Sequence, residues 1–364
     1  MDGDDETDEI DEHTWPEELV AVGAVRAWIA SALPGRPEVV GPILVHMAKE
    51  WGVTASFAVT GAGPAREVVF KACLLPRFAA SAARLYPLLD QLCPGAVPHV
   101  LATRTLPDGA SWLLFDAFEG TPVAETSAID ALLALARTLA RIQVAVADAP
   151  EAEKDGLPRA PISDATAWLD ATLSDVRGRY AAFWQGEGRE LAAQFHLPPD
   201  IAERMEMYRP HVAAWARELD RGNWPLTIDH VDLHGENAVI QPGGSILIFD
   251  WEEANLSCPF FSLDRLLDDV RDLEEEHEER VAEIGRYTPA ERALRDAYLA
   301  ALPWATADAR SRAFDLARCL APLKTADEAG ILARVRGWPE GAPHIAAWAL
   351  GRALPRWQRM AAES

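Results

Sequence analysis

The chain has 364 residues, a formal net charge of −23 and an ordinary hydrophobic fraction of 49%. That size and composition predict a globular protein of two domains or one large two-lobed body, and exclude a disordered or fibrous chain. The charge argues against nucleic acid and anionic membranes as partners, since like charges repel. No apolar run approaches the roughly 18 residues that would suggest a bilayer span.

Four cysteines (Cys73, Cys93, Cys258 and Cys319) lie far apart with no C-x-x-C spacing. They predict reduced thiols rather than a zinc site or a disulfide framework. The beginning of the chain is acidic, unlike a secretory leader, so a cytoplasmic location is expected.

Residues 1–14 (MDGDDETDEIDEHT) are almost all charged or polar, which predicts a disordered acidic tail. A helix is expected from Pro16, because Leu19, Val22, Val25, Trp28 and Ile29 recur at helical spacing. Segments 55–60 (ASFAVT) and 67–75 (EVVFKACLL), joined through Gly61, Gly63 and Pro64, predict a β-hairpin. A helix over 78–89 and strands over 97–105 and 111–118 follow, the last ending at Glu119-Gly120.

Beyond this point the pattern is mainly helical. Ser127 and Asp130 form a capping-box variant ahead of an apolar stripe of Leu132, Leu135, Leu139 and Ile142. Three helical stretches are expected within 163–221, separated near Gly186 and at Pro198-Pro199. A short β segment over 226–250 interrupts them, with a turn at Pro242-Gly243-Gly244. Helices then resume, with breaks predicted at Pro303, around 337–343 and at Pro355. The outline is a tail over 1–14, a small α+β lobe over 15–118, a hinge near 115–120 and a larger α-rich lobe over 119–364.

The informative stretch is His230-Val231-Asp232-Leu233-His234-Gly235-Glu236-Asn237, followed thirteen residues later by Asp250. The Pro-Gly-Gly turn lets the two strands fold back, so that Asn237 and Asp250 can approach one point. An amide oxygen and a carboxylate are hard ligands that suit Mg²⁺, which shares substrate phosphates rather than demanding a full protein cage. Asp232 on the same loop can accept a proton from an attacking hydroxyl, the division of labour that phosphoryl transfer needs. Taken singly, Asp232 and Asn237 are turn formers and Asp250 is a strand-end residue.

The pattern H-x-D-x-x-x-x-N followed by a strand ending in Asp resembles the aminoglycoside phosphotransferase family, a branch of the protein-kinase-like fold. Asp-Leu-His before Asn237, Phe-Asp-Trp-Glu around Asp250 and the later Pro259-Phe260-Phe261-Ser262-Leu263-Asp264 are similar to the family's wording. The resemblance implies an α+β, two-lobed fold with a small antiparallel-sheet N-lobe and an α-rich C-lobe. It also implies an ATP-dependent kinase acting on a small-molecule hydroxyl, with Mg²⁺ as cofactor. Asp232 then corresponds to the catalytic Asp, and Asn237 and Asp250 to the magnesium ligands. His230 and Asp264 correspond to supports of the catalytic loop. Lys71 is expected on the α- and β-phosphates, with backbone groups of Asp116 and Phe118 on adenine. Glu253, Asp268 and Asp269 are candidates for a pocket that takes an aminated or sugar-like acceptor. Acidic residues at 274–279 read as a solvated face, and Trp168, Trp184, Trp251, Trp304, Trp338 and Trp348 as core or pocket wall.

The sequence departs from the family at three points. The helix after the lysine strand, RFAASAARLYPLLDQL, has Ser or Ala where a Glu would pair with the lysine. Val231 stands where many relatives have Gly, and Gly235-Glu236 where many have Pro-Gly. The missing Glu motivates an alternative reading, a nucleotide-binding pseudokinase. A metal-dependent hydrolase using His230, Asp232 and His234 is a third. A protein kinase is disfavoured, because there is no A-P-E signature.

Overall fold

The computed structural model describes residues 15–61, 65–126, 128–273, 287–336 and 341–363. The acidic tail, the turn residues 62–64, Ser127, the 274–279 run and Trp338 lie outside the described residues. So does the side chain of Asp268.

Two compact units are present. The first runs to Thr126 and includes Asp148–Pro158 and Glu236–Ala254; the second comprises Ser127–Ala147, Arg159–Gly235 and Asn255–Ser364.

In the first unit, helix α1 (Val22–Ala32) begins six residues later than expected and buries Val25, Trp28 and Ile29 of the expected stripe, while Leu19 lies in the preceding turn and Val22 is half-buried. Strands β1 (Glu38–Lys49), β2 (Gly52–Thr60), β3 (Arg66–Cys73), β4 (Val100–Thr105) and β5 (Ser111–Asp116) form an antiparallel sheet in the order β1-β2-β3-β5-β4. Helix α2 (Pro76–Leu92) connects β3 to β4, starting on a proline that needs no hydrogen-bond partner for its nitrogen. The core is aromatic: Trp112 packs 5.6 Å from Trp28 and 5.5 Å from Phe70. Strand β1 has no counterpart in the sequence reading. Gly41, at φ +77°, and Pro42 interrupt its alternation, and the register shifts between Val40 and Leu44. An edge strand tolerates such a bulge.

A second sheet joins β6 (Thr121–Pro122), β8 (Ala238–Ile240) and β9 (Ile246–Ile248). The Pro242-Gly243-Gly244 turn closes β8 on β9, with Gly243 and Gly244 at φ +114° and +87°. Thr121 pairs with Ile240, and the Ile248 N–H donates to the Ala96 carbonyl. These bonds explain why 236–254 clusters with the five-stranded unit and why that unit runs on to Thr126, past the boundary drawn at residue 118.

Among its described residues, the second unit has helices and one strand pair, β7 (Thr227–Asp229) with β10 (Asn255–Ser257). Helix α3 (Ile129–Asp148) carries the expected stripe, with Leu132, Leu135, Leu139 and Ile142 buried. Five helices occupy the region where three were expected: α4 (Ala165–Asp175), α5 (Ala181–Gln185), α6 (Arg189–Gln194), α7 (Ile201–Met207) and α8 (Arg209–Arg221). A π-helical turn, Val176–Tyr180, separates the first two. After α9 (Leu263–Leu273) come α10 (Pro289–Ala301), α11 (Ala307–Arg336) and α12 (Gly341–Ala362). Pro303 lies between helices as expected, but Pro355 stays inside α12 and Pro322 inside α11. Buried flanking residues such as Leu354 and Trp357 offset the lost backbone bond by packing.

Candidate active site

The residues singled out by the sequence divide between the units. Lys71, Asp116, Phe118, Asn237, Asp250 and Glu253 belong to the first; His230, Asp232, Asp264, Asp268 and Asp269 belong to the second.

In the first unit, Lys71 sits mid-strand on β3, between Thr54 of β2 and Leu113 of β5, and is 8% exposed. Its ammonium pairs with the carboxylates of Asp250 and Glu252. Burial pushes the Lys71 amine down, but the charges of Asp250 and Glu252 outweigh it and hold the amine well above its usual value. Lys71 therefore stays charged. Burial and Asp250 push the Glu252 carboxyl above the usual range, with Lys71 pulling it back.

Asp250 follows the buried triplet Ile246-Leu247-Ile248 and adopts φ +67°, a left-handed turn that swings Trp251 into the core. Such a conformation costs about 1–3 kcal/mol in a non-glycine residue and is found where the surroundings enforce it. Here Trp251 Nε1 donates to the Ile248 carbonyl at 2.8 Å. The Asn237 carbonyl accepts from the Phe249 N–H at 3.0 Å, extending the β8–β9 ladder toward Asp250. Asn237 and Asp250 thus end neighbouring strands. Among the described residues, no group of three or more His, Cys, Asp or Glu side chains could hold a metal ion. The Asn237 amide oxygen and the half-exposed Asp250 carboxylate are a hard-oxygen pair, which fits magnesium chemically.

The hinge candidates are placed as follows. Asp116 ends β5, its N–H donating to the His99 carbonyl and its side chain pairing with Arg66 at 3.0 Å. Phe118 packs against Phe249 with ring centroids 5.5 Å apart and the rings tilted by 37°. Glu253 is half-buried in the turn after Asp250, and Glu236 is exposed.

In the second unit, Asp232 lies on the loop after β7. Its carboxylate faces Arg265 Nε at 3.3 Å and His234 Nε2 at 3.5 Å. Burial pushes this carboxyl up, but His234 and Arg265 together pull it down to about 2. Val231 has φ +71°, a conformation that a glycine would adopt without strain. Arg265 also covers one face of the Trp348 ring at 4.9 Å, and Arg352 lies over the same ring at 3.8 Å. The sequence had offered Trp348 only as core or pocket wall. Trp168, Trp184 and Trp251 are core, and Trp304 is half-buried.

Backbone hydrogen bonds at His230 and Gly235 anchor the loop. Ser262 Oγ accepts from the His230 N–H at 3.0 Å and donates to Asp229 at 2.7 Å. Asp269 accepts the Gly235 N–H at 2.5 Å, which braces the loop. Asp264 instead binds Arg318 at 3.0 Å and Arg356 at 2.8 Å, which ties together α9, α11 and α12. Asp229 pairs with Lys324 of α11 at 2.7 Å, and both are nearly fully buried. Sequence reasoning missed Ser262, Asp229, Lys324 and Glu252. Only Glu252 carried a usable signal, its place two residues after the strand-end Asp.

His234 gives a pH signature. Burial lowers its pKa, but the bond to Asp232 raises it above the usual 6.5. The stabilisation from this pair is therefore complete below about pH 6.5 and is lost as pH rises through the raised value. Asp232 acts at the other end: its share is present above the usual 3.8 and is lost as pH falls through about 2. Urea unfolding between about pH 5 and pH 9 is expected to show the alkaline loss in the wild type and not in His234→Asn. An unchanged slope in the variant would contradict the pairing.

Comparison with known proteins gives the family and the fold. The profile of the phosphotransferase enzyme family (APH) matches residues 48–298. No curated protein matches in sequence. Among solved structures, the GDP complex of wild-type aminoglycoside 2'-phosphotransferase-IIIa aligns with a TM-score of 0.53 at 16% identity, covering 86% of this chain and 93% of that one. A thermostable mutant of aminoglycoside phosphotransferase APH(4)-Ia, in a ternary complex with AMP-PNP and hygromycin B, aligns at 0.52 and 14% identity, covering 92% and 98%. An ethanolamine kinase of Plasmodium vivax aligns at 0.51 and 9% identity, covering 86% and 80%. The fold is the α+β, kinase-like fold of these enzymes. With its matched segment spanning most of the chain, the protein belongs to the phosphotransferase enzyme family and is a small-molecule kinase.

Proposed function

We propose that this protein transfers the γ-phosphoryl group of ATP to a hydroxyl of a small molecule. The observation that supports this most is the pairing of Lys71 with Asp250, 179 residues apart in sequence. The family resemblance had named these two independently, one for the nucleotide phosphates and one for the metal. In this reading Asp232 orients the acceptor hydroxyl and takes its proton. Asn237 and Asp250 hold magnesium, which when bound neutralises charge on the phosphates. Lys71 leaves the exposed Asp250 to meet the α- and β-phosphates. The Asp116 carbonyl and the Phe118 N–H hold adenine.

The acceptor is proposed to be an aminoglycoside or another aminated or sugar-like compound. The neighbouring enzymes carry hygromycin B in one case and are named for ethanolamine in another. Glu253, Asp268 and Asp269 are candidates for recognising it, and the action is proposed to take place in the cytoplasm. Among the described residues, no helix is long and apolar enough to cross a membrane. The pseudokinase alternative is weakened, since Glu252 gives Lys71 the carboxylate that its helix lacks.

Calorimetric titration with ATP tests the metal assignment. Asp250→Asn is expected to weaken Mg·ATP binding by at least about 10-fold and to leave metal-free ATP binding nearly unchanged. Equal magnesium dependence in both proteins would remove Asp250 from the metal site.

A further inference from the structure

In protein kinases the lysine that meets the nucleotide phosphates is held by a carboxylate separate from the metal-binding Asp. Helix α2 does not supply one. Its only carboxylate is Asp90, and that side chain is committed to His99 Nδ1 and the Val100 N–H, each at 2.9 Å.

The two carboxylates paired with Lys71 are not equivalent. The Asp250 side chain is 43% exposed and can rotate toward solvent, whereas that of Glu252 is 16% exposed. Glu252 divides its oxygens, Oε1 facing the Lys71 ammonium and Oε2 accepting the Tyr86 hydroxyl at 2.9 Å. Tyr86 belongs to α2 and is 1% exposed. Its hydroxyl also accepts the Trp251 N–H at 2.9 Å, which fixes the backbone next to Glu252. Phe115 of β5 packs against the phenol ring at a centroid distance of 4.9 Å. Every polar atom of the phenol and the carboxylate is thus engaged, as a buried charged network requires.

We propose that Tyr86 and Glu252 are the positioning residues of Lys71: the α2 phenol fixes Glu252, and Glu252 holds the ammonium in line for the phosphates. The helix keeps its control over the lysine by way of a hydroxyl and a borrowed carboxylate, in place of a glutamate of its own. This rests on the phosphotransferase reading. It follows that a displacement of α2 would release Glu252 and with it Lys71.

The test is a double-mutant cycle on Mg·ATP affinity, with folding checked by thermal melting. Tyr86→Phe removes one hydroxyl at constant shape and is expected to raise the Kd for Mg·ATP by about 10-fold. Glu252→Gln should raise it at least as far, and neither should change the acceptor KM. In a Lys71→Met background, each substitution should add less than about 2-fold, because the group it positions is gone. A merely structural role would leave the full effect in that background and overturn the proposal. If Lys71→Met weakens binding while Tyr86→Phe and Glu252→Gln bind as the wild type does, the positioning role fails and the phosphotransferase reading stands. If the wild type does not bind Mg·ATP, both fail.

Discussion

Asp232→Asn is expected to lower kcat by roughly 10²–10⁴-fold, the usual contribution of a positioned general base. Asparagine keeps the volume of the side chain but cannot accept the hydroxyl proton. The Asp232 side chain is 50% exposed, so the fold should tolerate the change. Mg·ATP affinity should hold, because Lys71, Asn237 and Asp250 belong to the other compact unit and are untouched. Steady-state kinetics at saturating ATP and acceptor check this. A kcat within a few-fold of the wild type would remove Asp232 from the chemistry. A matching loss of ATP affinity would recast it as a nucleotide-binding residue.

Lys324→Met is expected to destabilise the fold by about 3–5 kcal/mol, the typical cost of leaving a buried charge without its partner. Lys324 is 4% exposed and binds Asp229 at 2.7 Å and Glu328 at 2.8 Å. Burial pushes its amine down, but Asp229 and Glu328 outweigh that and raise it above its usual value. Methionine fills the space of the lysine stem and leaves the Asp229 carboxylate, 1% exposed, without a counter-ion. Asp229 stands three residues before Asp232 and accepts from Ser262 and from the Val231 N–H at 3.2 Å. Loss of its counter-ion should therefore loosen the Asp232 loop as well as the core. The expected cost is a large part of an ordinary domain's 5–15 kcal/mol. Urea denaturation measures it, and a change below about 1 kcal/mol would show that the network does not depend on the lysine.

The candidate site was legible in the sequence where its residues lay within one short stretch. Asp232, Asn237 and Asp250 fall within nineteen residues, and a glycine-rich turn announces the hairpin that brings the last two to neighbouring strand ends. Lys71 could be placed because the Gly61–Pro64 turn marks a hairpin and the resemblance expects a lysine on its second strand. Long-range pairs left no such trace. Lys324 lies on a helix, where a lysine ordinarily marks a solvent face, and nothing local shows that Asp229 waits for it. Tyr86 reads as one more apolar position of α2, and its hydroxyl acquires meaning only when Glu252 is seen beside it. The absence of a glutamate from α2 was visible, whereas the substitute two residues after Asp250 was not recognised as one.

Secondary structure follows the same division. The apolar stripes of α1 and α3 were plain from periodicity. Strand β1 was hidden by Gly41-Pro42, and β10, three residues long, is too short to show alternation. Pro355 and Pro322 were read as breakers or passed over, yet tertiary packing keeps both inside long helices. The π turn at Val176–Tyr180 carries no period that a 3.6-residue template detects.

Transfer of label from [γ-³²P]ATP tests the central claim most directly, using the wild-type chain with Mg²⁺ and a panel of aminoglycosides, macrolides, amino alcohols and sugars. The account predicts a labelled phosphomonoester that depends on both the acceptor and the metal and is absent with Asp232→Asn. Failure of the chain to bind Mg·ATP, with no label leaving the nucleotide for any acceptor, would contradict it.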